Sequence, residues 1–225
     1  MFAGPCLPAY IPGMSNDGTE AATWFAANPP GLAEQLAKRH AVIAGAGGLG
    51  SNVAAMLVRA GVGRLTLIDP DTVAASNLNR QFYFRDQVGQ PKVSALADNL
   101  RRINPGVSLA LQAERLVADN CSRLVPADAG VLCECFDVAE AKAMFAAFCR
   151  RERPGIPLIC VSGLAGLDPV ESMRCEVRGD NFYVIGDGRS ETTPARGTVA
   201  SRVMAAAAMQ AHLAIRLMAE GGGEK

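Results

Sequence analysis

Short apolar runs alternate with amphipathic stretches along much of the chain, a pattern that predicts strands alternating with helices. The first unit begins with the apolar run AVIAGA at 41–46, which predicts a buried strand. The stretch GLGSNVAAMLVRAGVG at 48–63 has helical periodicity, and Gly61 predicts where that helix ends. A second apolar run, RLTLID at 64–69, predicts the next strand. This order predicts two parallel strands joined by a crossover helix.

The same alternation continues to residue 163 and then changes. Further helices are predicted at 91–104, 118–125, 138–152 and about 198–219, and further strands at 107–113, 129–136 and 156–163. A short helix over GLAEQLAKRH is expected to end at His40, and a hairpin is expected around Gly179–Asp180. The predicted fold class is α/β, a doubly wound, mostly parallel Rossmann-like sheet with a mixed C-terminal edge.

Composition predicts the domain organisation and argues against some classes of partner. The segment 1–30 is predicted as a loosely ordered N-terminal extension, and 31–225 as a single nucleotide-binding domain. Lys plus Arg and Asp plus Glu number 22 each, a balance that argues against a nucleic-acid partner. The chain has no apolar run of membrane-spanning length and no signal-peptide pattern at its start. A cytoplasmic protein that does not bind membranes is therefore expected.

Seven cysteines are spread irregularly along the chain. An odd number in an α/β pattern argues against a disulfide framework. Cys133 and Cys135 are expected to share one side of a strand, but a tetrahedral zinc site needs two further ligands. These thiols are therefore interpreted as core side chains.

Three glycines follow the first predicted strand at the dinucleotide-binding spacing. Gly45 allows a tight turn, Gly47 lets a phosphate approach the backbone, and Gly50 lets the helix pack closely on the strand. The helix that begins here offers free N–H groups to an anion. Asp69 ends the second strand, where a carboxylate that binds ribose belongs. Strand, glycine turn, helix and acid together predict a nucleotide site.

Polar and basic residues after the second strand favour a triphosphate over a nicotinamide dinucleotide. Asn77 and Arg80 lie in the segment SNLNRQ, and Lys92 lies in the first turn of the next helix. A cation is electrostatically unfavourable at a helix N-terminus, so an anionic ligand would explain Lys92. The alternative for both cations is a solvated or locally paired side chain.

Asp137 directly follows the strand VLCECF and has two possible roles. At the end of a strand beside the first one, it could hold Mg²⁺ together with phosphate oxygens. Alternatively it could cap the helix that follows, with Glu140 completing a capping-box pattern. Local sequence leaves both roles open.

The order and spacing of these motifs resemble those of the ThiF/MoeB/HesA family, the bacterial relatives of ubiquitin-activating enzymes. The resemblance is carried by GAGGLGSNVAAMLVRAGVGRLTLIDPDTVAASNLNRQ, VGQPK, NLRRINP and CFD, and it is strong over about 38–163. The tail, with VSGLAG and NFYVIGDGRSET, resembles short ThiF-type adenylyltransferases of thiamine biosynthesis. The resemblance implies ATP-dependent adenylation of the C-terminal Gly-Gly carboxylate of a small ubiquitin-like sulfur-carrier protein, with release of pyrophosphate.

The resemblance also implies roles for individual residues. Asn77, Arg80 and Lys92 would contact phosphates, and Asp137 would serve Mg²⁺ and the reacting centre. The residues that it implies for nucleotide binding are Gly45, Gly47, Gly50, Asp69, Asn77, Arg80 and Lys92, and those that it implies for catalysis are Arg80, Lys92 and Asp137. A homodimer is expected, because members of this kind are commonly dimeric.

Three departures from the family pattern bear on these expectations. The two C-x-x-C pairs that hold a structural zinc in many members have no counterpart, so no structural zinc is expected. Cys160 and Cys175 are weak candidates for a covalent intermediate. Residues 1–37 contain no Lys or Arg, although relatives use an arginine from their N-terminal segment on the ATP phosphates. Arg189 or Arg196 is proposed to supply that charge, whereas Arg39 is expected at the wrong end of the sheet.

Other functions remain as alternatives. One is a tRNA-modifying dehydratase of the same superfamily, against which the neutral charge and short length weigh. Another is a catalytically silent subunit that binds a ubiquitin-like protein, against which the retained acids and cations argue. A nicotinamide dehydrogenase would need a hydride-site acid or base, and both His40 and His212 are better interpreted as structural.

Overall fold

Residues 24–191, 193 and 195–221 are described by the computed structural model. Within them, seven strands form one sheet. The strands are β1 (His40–Ala44), β2 (Arg64–Ile68), β3 (Ser108–Gln112), β4 (Val131–Glu134), β5 (Leu158–Val161), β6 (Arg174–Gly179) and β7 (Phe182–Gly186).

The sheet has the strand order β3-β2-β1-β4-β5-β7-β6. Every neighbouring pair is parallel except β6 and β7, which form the predicted antiparallel hairpin at one edge. The chain moves outward from β1 through β2 to β3, and it then returns to place β4 on the other side of β1. This reversal creates a crevice at the carboxyl ends of β1 and β4, where open α/β sheets bind ligands. The predicted fold class is confirmed.

Helices cover both faces of the sheet. In the described part of the chain they are α1 (Leu32–Leu36), α2 (Gly48–Ala60), α3 (Lys92–Ile103), α4 (Cys121–Leu124), α5 (Ala139–Glu152) and α6 (Ala200–Glu220). Helices α1, α2, α3 and α6 contribute to one apolar cluster with alternate residues of β1, including Ile43. Helices α4 and α5 form the second cluster with the intervening residues of β1, including Val42. The alternation of β1 between two cores explains why its sequence is apolar throughout.

The short helix before β1 is the clearest correction to the predicted elements. It covers only Leu32–Leu36, and His40 is the first residue of β1 rather than the last residue of the helix. His40 pairs in register with Arg64, and its Nε2 lies 2.8 Å from the hydroxyl oxygen of Thr66. Sheet pairing with a distant strand therefore overrides the helical pattern at this residue.

The predicted N-terminal extension falls mostly outside the described residues. The loosely ordered extension at 1–30 is described only from residue 24, so its order stays a prediction. None of the helices in the described ranges is long and apolar enough to cross a bilayer. The six cysteines in those ranges are free thiols, five of them buried and Cys175 exposed.

Candidate functional site

The glycine turn between β1 and α2 is shaped by close backbone contacts. A β-carbon on Gly50 would lie 1.8 Å from the carbonyl oxygen of Gly45, so only glycine lets α2 pack against the turn at this point. Gly45 has a φ of +99°, and a β-carbon there would lie 2.9 Å from the carbonyl oxygen of Cys135. By contrast, the nearest atom to a β-carbon on Gly47 would be 3.8 Å away, on Gln81. The turn is therefore tightly packed at Gly45 and Gly50 and open at Gly47.

The start of α2 presents its N–H groups to this opening. Among the described residues, no side chain caps the helix, whose N-cap residue is Gly47. The first N–H groups of an α-helix have no partner within the helix, and the helix dipole makes this end positive. The arrangement can therefore bind an anion such as a phosphate.

Asp69 lies at the end of β2, beside the glycine turn. Its carboxylate accepts hydrogen bonds from the N–H groups of Ala46, at 2.7 Å, and Asp71, at 2.9 Å. Burial raises the pKa of Asp69, while these donors and the ammonium of Lys92 favour the charged form. The carboxylate is thus held against the turn, at the position expected for a group that binds ribose.

Lys92 is buried in the first turn of α3 and is paired within the chain. Its ammonium lies 2.9 Å from a carboxylate oxygen of Asp71 and 3.8 Å from one of Asp69. These two acids compensate the unfavourable position of a cation at a helix N-terminus. The local pairing that was the alternative for Lys92 is therefore present, and the contact of Lys92 with phosphates stays a prediction.

The segment with Asn77 and Arg80 folds back over the start of α2. The stem of Arg80 packs near Gly48, whose β-carbon would lie 3.5 Å from the arginine Cγ. The side chain of Asn52 fixes this segment by donating to the carbonyl oxygens of Gly48 and Arg80. The guanidinium donates to Asn79 Oδ1 at 2.7 Å, so Arg80 is near the turn but held locally. The side-chain oxygen of Asn77 accepts from the N–H of Ala74, a structural use that sequence reasoning missed.

Asp137 lies exposed just beyond β4, two residues after Cys135, whose carbonyl oxygen borders Gly45. Helix α5 begins at Ala139 with Val138 as its N-cap residue, and within the described residues no side-chain hydrogen bond caps it. The capping-box alternative for Asp137 is therefore not observed. The carboxylate is instead available at the carboxyl edge of the sheet.

Sequence reasoning missed three residues that build this site. Asp71 pairs with Lys92, and the buried hydroxyl of Tyr83 donates to the carbonyl oxygen of Ala46 at 2.7 Å. Glu134 is fully buried at the end of β4 and pairs with Lys142. Asp71 and Glu134 were visible as acids in the sequence, but their partners lie 21 and 8 residues further along the chain, on the helices that follow.

The three candidate arginines differ in their surroundings. Arg39 precedes β1 at the amino edge of the sheet, opposite the crevice. Arg196 forms an ion pair with Asp168, whereas Arg189 is exposed after β7 at the carboxyl edge. The proposal that Arg189 or Arg196 supplies charge to the phosphates stays a prediction.

The buried cysteines have the surroundings of core side chains. Burial raises the pKa of both Cys133 and Cys149 to about 12, and it also raises the pKa of Cys160. Thiols of this kind remain protonated at neutral pH and are poor nucleophiles. In the described ranges, no group of three or more His, Cys, Asp or Glu residues is arranged to hold a metal ion.

Comparison with known proteins agrees with this architecture. The sequence profile of the ThiF family matches residues 21–224. The chain belongs to the ThiF family. It is 35% identical over 138 residues to the tRNA threonylcarbamoyladenosine dehydratase of Escherichia coli, covering 60% of this chain and 51% of that protein. It is 39% identical over 127 residues to the molybdopterin-synthase adenylyltransferase of Salmonella typhimurium, covering 56% and 50%.

Two solved structures show the same fold. The E. coli tRNA N6-threonylcarbamoyladenosine dehydratase in complex with ATP superposes with a TM-score of 0.80 at 23% identity, covering 90% of this chain and 97% of that one. E. coli MccB with ATP superposes with a TM-score of 0.67 at 22% identity, covering 93% and 66%. At these identities the likeness shows the fold alone. The chain spans about half the length of the curated relatives named above.

Proposed function

We propose that this ThiF-family chain is an adenylyltransferase that uses ATP to activate the C-terminal Gly-Gly carboxylate of a small ubiquitin-like sulfur-carrier protein, as in thiamine-type sulfur transfer. One observation carries the proposal: the open glycine turn, Asp69, Arg80, Lys92 and Asp137 meet at the carboxyl ends of β1, β2 and β4. This edge is where the fold binds ligands.

In the proposed reaction, a carboxylate oxygen of the carrier attacks the α-phosphorus of ATP. The bond between that phosphorus and the oxygen bridging to the β-phosphate breaks, and pyrophosphate leaves with the electron pair. The products are a carrier acyl-adenylate and pyrophosphate. Negative charge on the phosphate oxygens would be stabilised by the start of α2, Arg80 and Lys92, which are already in place before the reaction.

Each polar residue has a role that its geometry supports. Asp69 retains acceptor capacity for ribose hydroxyls beside its two backbone donors. Lys92 would exchange part of its contact with Asp71, whose side chain is 54% exposed, for a phosphate oxygen. The single exposed carboxylate of Asp137 fits a Mg²⁺ that arrives with the triphosphate, because Mg²⁺ is commonly held by one or two carboxylates and substrate phosphates. When bound, that ion would neutralise charge on the phosphates.

A groove at the same edge supports a carrier with an extended tail. It is lined by Gly166, Leu167, Asp168, Ala195, Arg196, Gly197, Thr198 and Val199. Val199 precedes α6 by one residue, and one turn later the side chain of Val203 would lie 3.1 Å from a β-carbon on Gly48. The groove therefore lies about one helical turn from the glycine turn, and the exposed Leu167 offers an apolar contact.

A second candidate is the dehydration of a threonylcarbamoyladenosine-modified tRNA through an adenylated carboxylate. The identity with the E. coli tRNA dehydratase favours it. The equal numbers of basic and acidic residues weigh against it, because tRNA-binding proteins usually carry basic patches.

ATP–pyrophosphate exchange separates the candidates. We expect exchange that depends on a carrier ending in Gly-Gly and that is absent with the same carrier shortened by those two residues. Exchange that is stimulated only by the modified tRNA would replace the first proposal by the second. Micromolar binding of NAD with no binding of ATP in calorimetry would contradict both.

We predict that Asp137→Asn abolishes carrier-dependent exchange and leaves the thermal unfolding midpoint unchanged. The carboxylate is exposed and does not cap α5, so its loss should affect chemistry rather than folding. Asp119→Asn, at another exposed aspartate, is the matched control and should retain exchange. Retained activity in Asp137→Asn with a lowered unfolding midpoint would show that Asp137 is structural.

A further inference from the structure

A buried ion pair joins the ends of β4 and β5 next to Asp137. The side chain of Glu134 is fully buried, and its carboxylate oxygens lie 2.9 and 3.1 Å from the ammonium of Lys142, in the first turn of α5. The same ammonium donates to the carbonyl oxygen of Val161 at 2.9 Å. One cation therefore connects two strand ends at the carboxyl edge of the sheet.

This pair brackets the four residues Cys135–Val138. On one side, Glu134 Oε1 accepts the N–H of Phe136 at 2.7 Å. On the other side, the segment ends at the start of α5, where the backbone N–H of Lys142 makes a helical hydrogen bond to the carbonyl oxygen of Val138 at 3.1 Å. Asp137 is the one residue between Phe136 and Val138, where these two hydrogen bonds are made.

The Asp137 side chain is not fixed by a capping contact in the described residues. Within the described part of the chain its carboxylate is exposed, and α5 receives no side-chain cap from it. The opposite face of the segment is held from α6, where Gln210 Oε1 lies 3.5 Å from the sulfur of Cys135. The direction of the Asp137 side chain therefore depends on how its backbone is fixed, and Glu134 with Lys142 provides that fixation on the α5 side.

The cost of the pair argues for a role beyond stability. Burial raises the pKa of Glu134, and the Lys142 ammonium and the N–H of Phe136 oppose that effect. Replacing a buried ion pair by apolar residues of similar volume is often neutral or stabilising, so burial of charge here is not needed to hold a core together. What an apolar pair could not do is direct hydrogen bonds to Phe136 and Val161 at once.

We infer that Lys142, acting through Glu134, is a positioning residue that aims the carboxylate of Asp137 at the metal–triphosphate complex. The inference rests on the proposed function, because it assigns Asp137 to Mg²⁺ bound with ATP. The role assigned to Lys142 is indirect, because its ammonium contacts Glu134 and Val161.

The test is the gain in ATP affinity that Mg²⁺ produces, measured by calorimetry with MgCl₂ and with EDTA. In the wild type, Mg²⁺ should tighten ATP binding, and Asp137→Ala should remove that gain. Lys142→Met should reduce the gain at least about fivefold and leave binding of ATP in EDTA within about twofold, while Lys142→Arg retains most of it. The variant with both Asp137→Ala and Lys142→Met should lose no more than Asp137→Ala alone, since both changes act on one carboxylate.

Two controls separate positioning from folding. The variant with Glu134→Gln and Lys142→Met removes the uncompensated buried charge, so it should regain thermal stability and still lack the Mg²⁺ gain. Arg64→Met breaks an ion pair with Asp128 at the amino edge of the sheet and should leave the gain unchanged. Amide hydrogen exchange over Cys135–Val138, measured without nucleotide, should be faster in Lys142→Met than in Arg64→Met.

The outcomes distinguish this inference from the proposed function. Additive losses in the double variant, or a full Mg²⁺ gain in Lys142→Met, would overturn the inference. A wild type whose ATP affinity is indifferent to Mg²⁺ contradicts both the metal role of Asp137 and the inference. A clear Mg²⁺ gain without any carrier-dependent exchange contradicts the proposed carrier alone and leaves the positioning result standing.

Discussion

At the scale of single residues, the glycines of the turn differ in what a β-carbon would meet. At Gly50 it would overlap the backbone of Gly45, and at Gly45 it would press on the backbone of Cys135. At Gly47 it would enter open space, with no atom closer than 3.8 Å. Two glycines are thus required by the fold, whereas the third leaves room above the turn.

This difference predicts opposite consequences for two alanine substitutions. Gly50→Ala should lower the free energy of unfolding by about 3 kcal/mol or more, because a backbone overlap cannot be relieved by a rotamer change. Gly47→Ala should change it by less than about 1 kcal/mol and weaken ATP binding at least about tenfold, because the methyl group occupies the space of a phosphate. Chemical denaturation and calorimetry measure the two quantities.

Gly89→Ala is a useful comparison for this pair, since a β-carbon there meets no atom within 4 Å although its φ is +90°. It should lose some stability through backbone strain and keep ATP affinity. If Gly47→Ala binds ATP as tightly as the wild type, the open space above the turn does not hold a phosphate.

At the scale of elements, α6 packs its apolar side chains against the cluster that α2 shares with β1. The sequence places Val199, Val203, Leu213 and Leu217 on one stripe, which could serve a dimer or the chain's own core. Val203 is buried, and both leucines pack against the apolar cluster that α2 shares with β1. Three residues of the stripe are therefore used within the chain and give no support to a dimer, whereas Val199 is 38% exposed.

Gln210, in the middle of α6, makes hydrogen bonds from that helix to two strands of the sheet. Its buried amide nitrogen donates to the carbonyl oxygens of Glu134 and Ile159, at 3.0 and 2.8 Å. We predict that Gln210→Leu lowers the free energy of unfolding by about 1–3 kcal/mol, because it removes two buried hydrogen bonds to backbone carbonyl oxygens. Arg216→Leu, exposed on the same helix, should change it by about 0.5 kcal/mol or less. Equal effects of the two leucine substitutions in urea denaturation would show that these hydrogen bonds contribute nothing.

At the scale of the whole molecule, the order of the strands brings the site together. The glycine turn follows β1, Asp69 and Lys92 follow β2, and Asp137 follows β4, so three separate connections contribute to one edge of the sheet. Parallel strands end at one edge of the sheet, so a chain that reverses direction beside β1 collects these connections around one crevice.

A homodimer is the prediction at this scale, and it rests on the family resemblance. Light scattering at high protein concentration should give twice the chain mass of 23.5 kDa. A monomer mass over the full concentration range would contradict it. Exposed Leu167→Asp is a further comparison, since it should weaken a carrier complex and leave the dimer intact if the groove serves the carrier.

The sequence by itself determined the types and order of the elements, and it predicted the chemistry of the crevice. Periodicity and glycine spacing are local properties, so they predicted the parallel sheet, the late hairpin and the open turn before α2. The acids and cations at the site were also visible, because strand ends and helix starts can be located from local pattern. His40 was assigned to a helix although it begins β1, since its pairing with β2 depends on a strand 24 residues away.

Only the tertiary structure decided which of those groups pair with one another. Lys92 meets Asp71 across 21 residues, and Gln210 reaches Glu134 across 76. Lys142 joins Glu134 to the end of β5, and Asp137 is left without a capping role. Such contacts follow from how strands and helices are stacked in space, and no local pattern encodes the partner of a buried charge.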